Sequence, residues 1–267
     1  MSTFTGKTVL ITGASEGIGR ALALALAAER PRLALNARNE ARLADAAREC
    51  TARGAEVLVL PGDVSRPEDC AALVANTVAR FGRLDVLVNN AGVTMWSRFD
   101  AISDLSVFGR LLDINYLGAV YNTAAALPAL KAARGLIVAV ASLAGLTGVP
   151  ERTAYAGSKH AMVGFFESLR IELTGSGVDV TIVAPDFVVS EIHRRAIGPD
   201  GAPLGKTPMQ ESRIMTAEEC ARLIVGAMRR RDRLLITSVR GRIGLWARLI
   251  APAMVDRITA RAIRERR

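Results

Sequence analysis

Cysteine and histidine are scarce in this chain of 267 residues, and neither occurs in a pattern that indicates metal chemistry. The three cysteines, Cys50, Cys70 and Cys220, lie far apart, so we expect reduced thiols, a cytoplasmic protein and no metal site. The two histidines, His160 and His193, have no carboxylate or cysteine at a matching spacing. We expect both histidines to be structural or exposed to solvent.

Targeting and membrane-spanning segments are also lacking. The N-terminus does not combine a charged segment with a following apolar one, so we expect no signal peptide. No uninterrupted apolar run reaches the roughly 18 residues that a membrane span needs. Apolar residues make up 50% of the chain, 23 residues are glycine and no low-complexity tract occurs, which favours one large α/β domain.

Positive charge is in excess only at the C-terminal end of the chain. Residues 229–267 contain 12 arginines and 3 acidic residues, and this excess accounts for the whole net charge of +9. A general nucleic-acid-binding surface would distribute the charge more widely. The sequence therefore predicts no nucleic-acid partner. It predicts a main domain over residues 1–240 and a basic extension over residues 241–267.

A glycine-rich turn near the N-terminus indicates a dinucleotide site. Residues 7–12 predict a buried strand, and the alanine- and leucine-rich segment after the turn predicts a helix. Glycines permit a sharp turn and a close approach to a pyrophosphate, and the helix N-terminus offers free N–H groups to the phosphates. The cofactor-binding residues predicted here are Gly13, Ser15, Glu16, Gly17, Ile18 and Gly19.

The end of the second predicted strand, residues 32–37, indicates which cofactor is bound. An acidic residue there would accept hydrogen bonds from the ribose 2′-hydroxyl of NAD. This chain instead has Ala37 followed by Arg38 and Asn39. Because a guanidinium suits a 2′-phosphate, we expect NADP(H) in preference to NAD(H). Glu16 opposes this interpretation, since a carboxylate near that phosphate would repel it.

The remaining strands and helices alternate, which predicts a parallel sheet covered on both faces. Helices are predicted over residues 40–53 and 67–81, and strands over 56–60, 84–88, 135–141, 178–184 and 234–238. Asp63 and Val64 follow the third strand, where side chains meet the adenine in folds of this kind. Asn90, Ala91 and Gly92 follow the fourth strand, although an ordinary strand-to-loop turn explains them equally well.

Ser142, Tyr155 and Lys159 form the candidate catalytic group. On a helix, Tyr155 and Lys159 would lie one turn apart on the same face. The ammonium group would favour the phenolate and lower the tyrosine pKa from its usual value of about 10. Such a tyrosine can give a proton to a carbonyl or take one from an alcohol, and Ser142 could hydrogen-bond the same oxygen.

Asn115 lies within a long predicted helical region, residues 105–133, where asparagine is a poor helix former. Its amide could open the local helix and hold a water molecule. A satisfied buried asparagine is an equally good interpretation.

Two later segments, a lid and the C-terminal extension, are also predicted. Residues 198–208 contain three prolines and three glycines, so a lid without regular structure is predicted over residues 187–216. In the extension, Pro252 separates two short amphipathic helices, and Trp246 lies beside their apolar stripe. This stripe could dock on an anionic membrane surface as a peripheral contact, or it could pack on the domain or a second subunit.

Together these motifs resemble the short-chain dehydrogenase/reductase family. T-G-x-x-x-G-x-G at residues 12–19, N-N-A-G at 89–92, Asn115, Ser142 and Y-x-x-x-K at 155–159 occur in the family's order. The resemblance implies a single-domain Rossmann fold with a doubly wound parallel sheet of about seven strands. It also implies a small-molecule substrate and a homo-oligomer, commonly a dimer.

The resemblance further implies a role for each motif residue. Tyr155 is the general acid/base, Lys159 lowers its pKa while binding the nicotinamide ribose, and Ser142 orients the substrate carbonyl. Asn115 keeps a helix kink and a proton-relay water. Further cofactor contacts are implied for Pro185, Val188 and Ser190.

Within the family, residues 125–145, residues 164–173 and the C-terminal extension look like the branch that contains 11β-hydroxysteroid dehydrogenase. We therefore expect NADP(H)-dependent hydride transfer to or from a hydrophobic, steroid- or lipid-like ketone or secondary alcohol. Small ketones or acyl thioesters, or nucleotide binding without catalysis, are the alternatives. The chain departs from the family pattern at Asp186, where glycine is common.

Overall fold

The apolar segments predicted as strands form one parallel sheet. The computed structural model describes residues 4–207, 209 and 214–264, the last three by their backbone only. Neighbouring strands follow the order β3-β2-β1-β4-β5-β6-β7, and each pair is parallel. The strands are β1 (Thr8–Thr12), β2 (Arg32–Ala37), β3 (Glu56–Pro61), β4 (Val86–Asn89), β5 (Leu136–Val140), β6 (Asp179–Ala184) and β7 (Leu234–Ile236).

Helices cover both faces of this sheet. In the described residues they are α1 (Gly17–Ala27), α2 (Glu40–Ala52), α3 (Pro67–Phe81), α4 (Ser106–Leu112), α5 (Gly118–Ala133), α6 (Thr153–Glu172), α7 (Ala217–Arg230), α8 (Val239–Ile250) and α9 (Pro252–Arg264). Val9 and Ile11 pack against α1, α2 and α7, whereas Leu10 between them packs on the side of α3, α5 and α6. This alternation buries both faces of β1. The predicted single-domain, doubly wound Rossmann fold is confirmed.

The sheet reverses its direction of growth between β1 and β4. The chain first adds β2 and β3 on one side of β1, and then adds β4 to β7 on the other side. In such sheets a crevice opens outside the carboxyl ends of the two central strands. The glycine-rich turn after β1 and the loop after β4 meet at this crevice.

The helical region before β5 contains an irregular turn. Between α4 and α5, residues Asp113–Leu117 form a π-helix, and the N–H of Gly118 donates to the carbonyl of Asp113, five residues earlier. Asn115 lies at the centre of this turn. The helical region predicted over residues 105–133 is therefore confirmed, with a local opening at the asparagine.

The start of α7 also follows the sequence prediction. The Thr216 hydroxyl accepts a hydrogen bond from the N–H of Glu219 (3.1 Å), and the Glu219 carboxylate accepts one from the N–H of Thr216 (3.0 Å). This capping box satisfies backbone donors that the first helical turn leaves unpaired.

The extension forms the two helices α8 and α9, which meet at Pro252 as predicted. The first of these helices begins at Val239, because Ser238 caps α8: its Oγ accepts a hydrogen bond from the N–H of Gly241 (3.0 Å). The last strand accordingly ends at Ile236 rather than at the predicted residue 238. Across the described residues, every helix is too short or too polar to cross a bilayer.

Residues 187–216, the predicted lid, form no named helix or strand where they are described; residues 208 and 210–213 lie outside the described residues. Isolated bridges join Ile197 to Met95 and Val188 to Met215. The bridge at Ile197 therefore attaches the lid to the loop after β4, and the bridge between Val188 and Met215 joins the two ends of the lid.

Candidate active site

A cavity of about 1100 Å³ lies at the carboxyl ends of the strands. Its walls come from the glycine turn, the loops after β2 to β5, the first turns of α6, the lid and the two C-terminal helices. This volume reaches the upper end of the range for ligand sites, enough for a large ligand. The cavity extends from the glycine turn to the apolar face of the extension.

The glycine turn is shaped to receive a pyrophosphate. Gly13 and Gly17 have positive φ angles of 66° and 54°. A Cβ atom on Gly19 would lie 2.2 Å from the Gly13 carbonyl oxygen, so only glycine allows this close approach. The first helical residue of α1 is Gly17, and no side chain caps this end of the helix. Its N–H groups and positive dipole end are therefore available to phosphate oxygens, and the turn fits a dinucleotide.

The loop after β4 is held against this turn by side chains. The Thr12 hydroxyl accepts hydrogen bonds from the N–H groups of Asn90 and Ala91, both at 3.0 Å. The Asn90 amide donates to the carbonyls of Thr12 (2.9 Å) and Gly13 (3.1 Å). These bonds fix the floor of the cavity beside the glycine turn.

Charged side chains surround the predicted ribose end of the cofactor site. Arg38 is more than half exposed and lies 3.7 Å from Asp63. The Glu16 carboxylate, which the sequence suggested would repel a phosphate, accepts hydrogen bonds from Arg42 (3.0 Å) and Arg195 (2.6 Å). Glu16 is therefore neutralised by two arginines. The sequence analysis identified neither Arg42 nor Arg195 as a partner of Glu16. Arg195 lies far away in the lid, and no spacing along the chain connects it to Glu16.

Asn39 has a structural position at the same end of the site. It is the N-cap of α2, and its side chain accepts a hydrogen bond from the N–H of Arg42 (3.0 Å). This cap fixes the first turn of α2, which carries Arg42 towards Glu16.

Ser142, Tyr155 and Lys159 meet at one wall of the cavity. Lys159 is buried, and its ammonium group donates to the Val140 carbonyl (2.9 Å) and lies 6.0 Å from the centre of the Tyr155 ring. Burial lowers the pKa of Lys159 to about 8. The Ser142 side chain lies beside Tyr155 and lowers the pKa of its hydroxyl, and Ser142 Oγ accepts a hydrogen bond from the N–H of Ala144 (3.2 Å). These residues can therefore hold and transfer a proton at one point of the cavity.

The pKa of Tyr155 differs from the sequence expectation. Burial raises it above its usual value, and the charge of Arg152 and the hydrogen bond to Ser142 oppose this rise only in part. Lys159 is not among the groups that shift it, and its ammonium group donates to the Val140 carbonyl. The expectation of a lowered tyrosine pKa is therefore wrong, and the cation that acts on Tyr155 is Arg152.

Asn115 is fully buried, and protein groups occupy its amide. Its oxygen accepts from the N–H of Val93 (2.8 Å), and its nitrogen donates to the Val93 carbonyl (2.9 Å) and the Ser158 hydroxyl (2.9 Å). The satisfied buried asparagine is thus the interpretation that the structure supports for the side chain. Asn115 joins the loop after β4 to α6, the helix that carries Tyr155 and Lys159.

Most of the predicted site residues line this one cavity, whereas Gly19 and Asn115 pack behind its wall. The lining residues among them are Gly13, Ser15, Glu16, Gly17, Ile18, Arg38, Asn39, Asp63, Val64, Asn90, Ala91, Gly92, Ser142, Tyr155, Lys159, Pro185, Val188 and Ser190. Phe187 and His193 of the predicted lid join them, whereas the sequence did not indicate that Arg152, Arg240 and residues of α8 and α9 would line the cavity.

His193 is buried rather than exposed. Burial, together with the nearby charge of Arg152, lowers the pKa of His193 to about 4. With this pKa the ring is neutral near neutral pH. Because Nε2 donates to the Val188 carbonyl (3.1 Å), the proton is on Nε2 and Nδ1 is unprotonated. The three cysteines are buried and reduced, and burial raises the pKa of Cys50 to about 11, which makes it a poor nucleophile.

Asp186 connects the end of β6 to the extension. Its carboxylate accepts hydrogen bonds from the Ser238 hydroxyl (2.7 Å) and from Nε of Arg240 (2.5 Å). Burial would raise the pKa of Asp186, but these two partners outweigh it and hold the pKa below its usual value. The residue that departs from the family pattern thus fixes the start of α8, and with it the wall that the extension adds to the cavity.

A sequence model described as short chain dehydrogenase matches residues 7–198 of this chain. The chain belongs to the short-chain dehydrogenase family. It is an oxidoreductase that acts on CH–OH donors with a nicotinamide cofactor and a small-molecule substrate.

Curated relatives identify a branch within this family. The chain is 38% identical over 258 residues to 11-beta-hydroxysteroid dehydrogenase 1A of Arabidopsis thaliana, covering 94% of this chain and 74% of the relative. It is 41% identical over 251 residues to 11-beta-hydroxysteroid dehydrogenase-like 4A of the same plant, covering 94% and 82%. The expected resemblance to this branch is confirmed.

Solved structures show the same fold with two different cofactors. A short-chain dehydrogenase/reductase from Burkholderia phymatum in complex with NAD superposes with a TM-score of 0.84 at 28% identity, covering 95% of this chain and 96% of that one. An alcohol dehydrogenase from the archaeon Thermococcus sibiricus complexed with 5-hydroxy-NADP gives a TM-score of 0.74 at 29% identity, covering 86% and 95%.

Proposed function

We propose that this protein is an NADP(H)-dependent oxidoreductase that interconverts a hydrophobic ketone and its secondary alcohol, with Tyr155 as the general acid/base. The observation that carries the proposal is the meeting of Tyr155, Ser142 and Lys159 on one wall of a cavity that begins at the glycine turn. In the reduction direction, bound NADPH supplies a hydride to the carbonyl carbon.

Tyr155 gives its proton to the carbonyl oxygen as the alcohol forms. A raised tyrosine pKa is compatible with this direction, since the neutral phenol is the form that donates. Ser142 orients the same oxygen by a hydrogen bond. The charge of Arg152 stabilises the phenolate that remains, and Lys159 holds the nicotinamide ribose. Asn115 holds the loop after β4 against α6 through the hydrogen bonds of its amide.

The preference for NADP(H) rests on the arginines at the ribose end of the site. Arg38 is exposed to the cavity, and Arg42 and Arg195 offset the carboxylate of Glu16. A 2′-phosphate placed there meets more positive than negative charge. An arginine–phosphate contact contributes about 1.5–3 kcal/mol, which corresponds to about a 10- to 100-fold difference in affinity.

Fluorescence titration with NADPH and with NADH tests this preference directly. Wild-type protein should bind NADPH at least about 10-fold more tightly, and Arg38→Ala should remove most of the difference. Arg48→Ala is a matched control, because Arg48 is exposed on α2 and pairs with Asp45. A preference for NADH would mean that Glu16 governs the pocket, and the cofactor proposal would be abandoned.

The Tyr155→Phe variant tests the catalytic proposal. It removes only the hydroxyl, so turnover of a ketone with NADPH should fall by at least about 100-fold, because general acid catalysis contributes about 10²–10⁴. NADPH affinity should stay within a few-fold of wild type. Full retained activity would rule out Tyr155 as the acid and would favour a role in nucleotide binding without catalysis.

The substrate end of the cavity supports a bulky apolar ligand. Leu245, Met254, Val255 and Ile258 of the extension line it together with Leu146 of the loop after β5. The size of the cavity and these side chains favour a steroid- or lipid-like ketone over a small ketone or an acyl thioester. Relatives named as hydroxysteroid dehydrogenases support the same assignment.

The outer face of the extension suggests a peripheral contact with a membrane. Trp246, Leu249 and Ile250 of α8 are 70%, 73% and 87% exposed, and Arg242 and Arg248 lie on the same helix. Apolar groups with an interfacial tryptophan and arginines suit an anionic bilayer surface. Sedimentation with anionic vesicles should carry down the intact chain but not the Trp246→Ser, Leu249→Ser double variant.

The same exposed face could instead be covered by a second copy, as expected for a homo-oligomer. Light scattering of the wild-type protein and the double variant separates the two cases. A dimer that becomes monomeric on substitution would assign the face to self-association, and unchanged mass with lost vesicle binding would assign it to the membrane.

A further inference from the structure

Arg152, the residue before α6, is a buried cation on the wall of the cavity. Only 4% of the residue is exposed. Its Nη1 donates to the Thr94 hydroxyl (2.9 Å), whereas Nε and Nη2 have no hydrogen-bond partner in the described part of the chain. Burial lowers the pKa of Arg152 to about 10, which leaves the group charged near neutral pH. Leaving N–H groups of a buried charge unpaired is costly, so their presence calls for an explanation.

Aromatic rings surround the guanidinium but do not satisfy its hydrogen bonds. The centre of the group lies 4.1 Å from the Trp96 ring and 5.5 Å from the rings of both Tyr155 and Phe187. These contacts stabilise a positive charge through the faces of the rings. They do not replace hydrogen-bond acceptors in the plane of the guanidinium. The rings hold Arg152 in place and leave one edge of it unpaired.

Other arginines of this protein show what this edge binds. Nε and Nη2 lie on the same side of the planar group and form a fork that matches the two oxygens of a carboxylate. Among the described residues the Nε and Nη2 atoms of three arginines bind both oxygens of an aspartate in that manner: Arg83 with Asp85, Arg98 with Asp100, and Arg230 with Asp232.

Resting on the oxidoreductase function above, we propose that the substrate carries a carboxylate that binds the Nε/Nη2 edge of Arg152. The substrate class is thus an apolar oxo acid or the corresponding hydroxy acid. Because Arg152 lies 5.5 Å from the Tyr155 ring, the carboxylate and the reacting carbonyl belong to the same end of the molecule. The apolar remainder occupies the part of the cavity that α8 and α9 line.

The lid covers this carboxylate site. Phe187 and His193 are lid residues, and their rings lie 6.3 Å apart beside Arg152. The two free N–H groups are out of contact with solvent. The carboxylate therefore reaches them when a covering side chain is displaced, and the Phe187 ring, 5.5 Å from the centre of the guanidinium, is one of the side chains that surround it. His193 is neutral near pH 7 and adds no competing charge.

A matched pair of substrates tests the proposal kinetically. With NADPH, the wild-type protein should reduce γ-oxodecanoate with a kcat/KM about 10- to 100-fold higher than its methyl ester, since the ester lacks the charge and leaves the guanidinium edge unpaired. In Arg152→Met, the ratio of the two values should fall to about one. Equal values in the wild type, or an unchanged ratio in Arg152→Met and Arg152→Lys, would overturn the proposal.

A binding measurement separates this proposal from the catalytic one. The chain has two tryptophans, so a Trp246→Phe background leaves Trp96, which stacks on Arg152, as the reporter. γ-Oxodecanoate should change the Trp96 fluorescence in a saturable manner, the methyl ester should do so only at about 10-fold or higher concentration, and Arg152→Met should abolish the difference.

The two assays together distinguish the failures. Saturable carboxylate binding without turnover of either compound would uphold the carboxylate site and refute the proposed reaction. Turnover of acid and ester with equal efficiency would uphold the reaction and refute the carboxylate site.

Discussion

Replacement of Asp186 by alanine should release α8 from the cavity wall. The carboxylate accepts hydrogen bonds from Ser238 (2.7 Å), which caps α8, and from Arg240 (2.5 Å) in its first turn. Arg240 is more than half exposed, so its ion pair contributes at most about 1 kcal/mol. The charge-assisted bond from Ser238 adds about 1.5 kcal/mol. The docked state of α8 should therefore lose about 2 kcal/mol, or roughly a 30-fold change in its equilibrium.

Amide hydrogen exchange measures this change directly. Amides of α8 should exchange roughly 30-fold faster in Asp186→Ala than in wild type, while those of β1 in the sheet core should keep their rates. Asp186→Asn should fall between the two, because an amide can still accept from Ser238. The KM for an apolar ketone should rise in the same order, since α8 forms one wall of the cavity.

Asp100→Asn serves as the control, because Asp100 forms a comparable ion pair with Arg98 on the exposed surface. The contribution of Asp186 should be fully present above its unfolded pKa, near 4, and should be lost as the pH falls through its lower folded value. Unchanged α8 exchange in Asp186→Ala at pH 7 would refute the assignment of Asp186 as the anchor of the extension.

Two further predictions concern stability and cofactor binding. His193 has a folded pKa of about 4, so the unfolded state binds an extra proton between about pH 4 and 6.5 and stability falls as the pH drops through that window. Urea unfolding at several pH values should show a shallower loss in His193→Gln, by up to about 1.4 kcal/mol per pH unit. Gly19→Ala should weaken NADPH binding by at least about 10-fold in titrations, because its Cβ would lie 2.2 Å from the Gly13 carbonyl oxygen. Gly164→Ala, on α6 with no atom within 4 Å of the added Cβ, should bind normally and gain about 0.5–1 kcal/mol in thermal unfolding. Normal binding by Gly19→Ala, or an unaltered slope in His193→Gln, would contradict the respective argument.

Local features of the sequence were sufficient to predict the fold. Each strand is a short apolar run, and some helices carry a local start signal, as at Thr216 and Glu219 before α7. The glycine turn could be predicted because the positions that require glycine lie within a few residues of one another in the sequence. The spacing of Tyr155 and Lys159 similarly places them on one helix, since i and i+4 residues share a face. Such information lies within a few residues and needs no knowledge of tertiary contacts.

The tertiary structure decided which charges act on the site. The sequence indicated that Lys159 would lower the pKa of Tyr155, but its ammonium group is held by a carbonyl of β5, and Arg152 lies beside the tyrosine instead. Glu16 was expected to oppose a phosphate, but Arg195 of the lid neutralises it across 179 residues of chain. Burial and pairing set these charges, and neither can be read from spacing along the chain.

The sequence by itself determined the order of the elements, the dinucleotide turn and the serine, tyrosine and lysine of the proposed active site, because local spacing and local backbone requirements encode them. Only the tertiary structure decided that Asp186 anchors the extension to the cavity and that Arg152 has an unpaired edge at the site. Both depend on side chains that the fold brings together from distant positions, where the free energy of a contact is set by burial and geometry rather than by sequence separation.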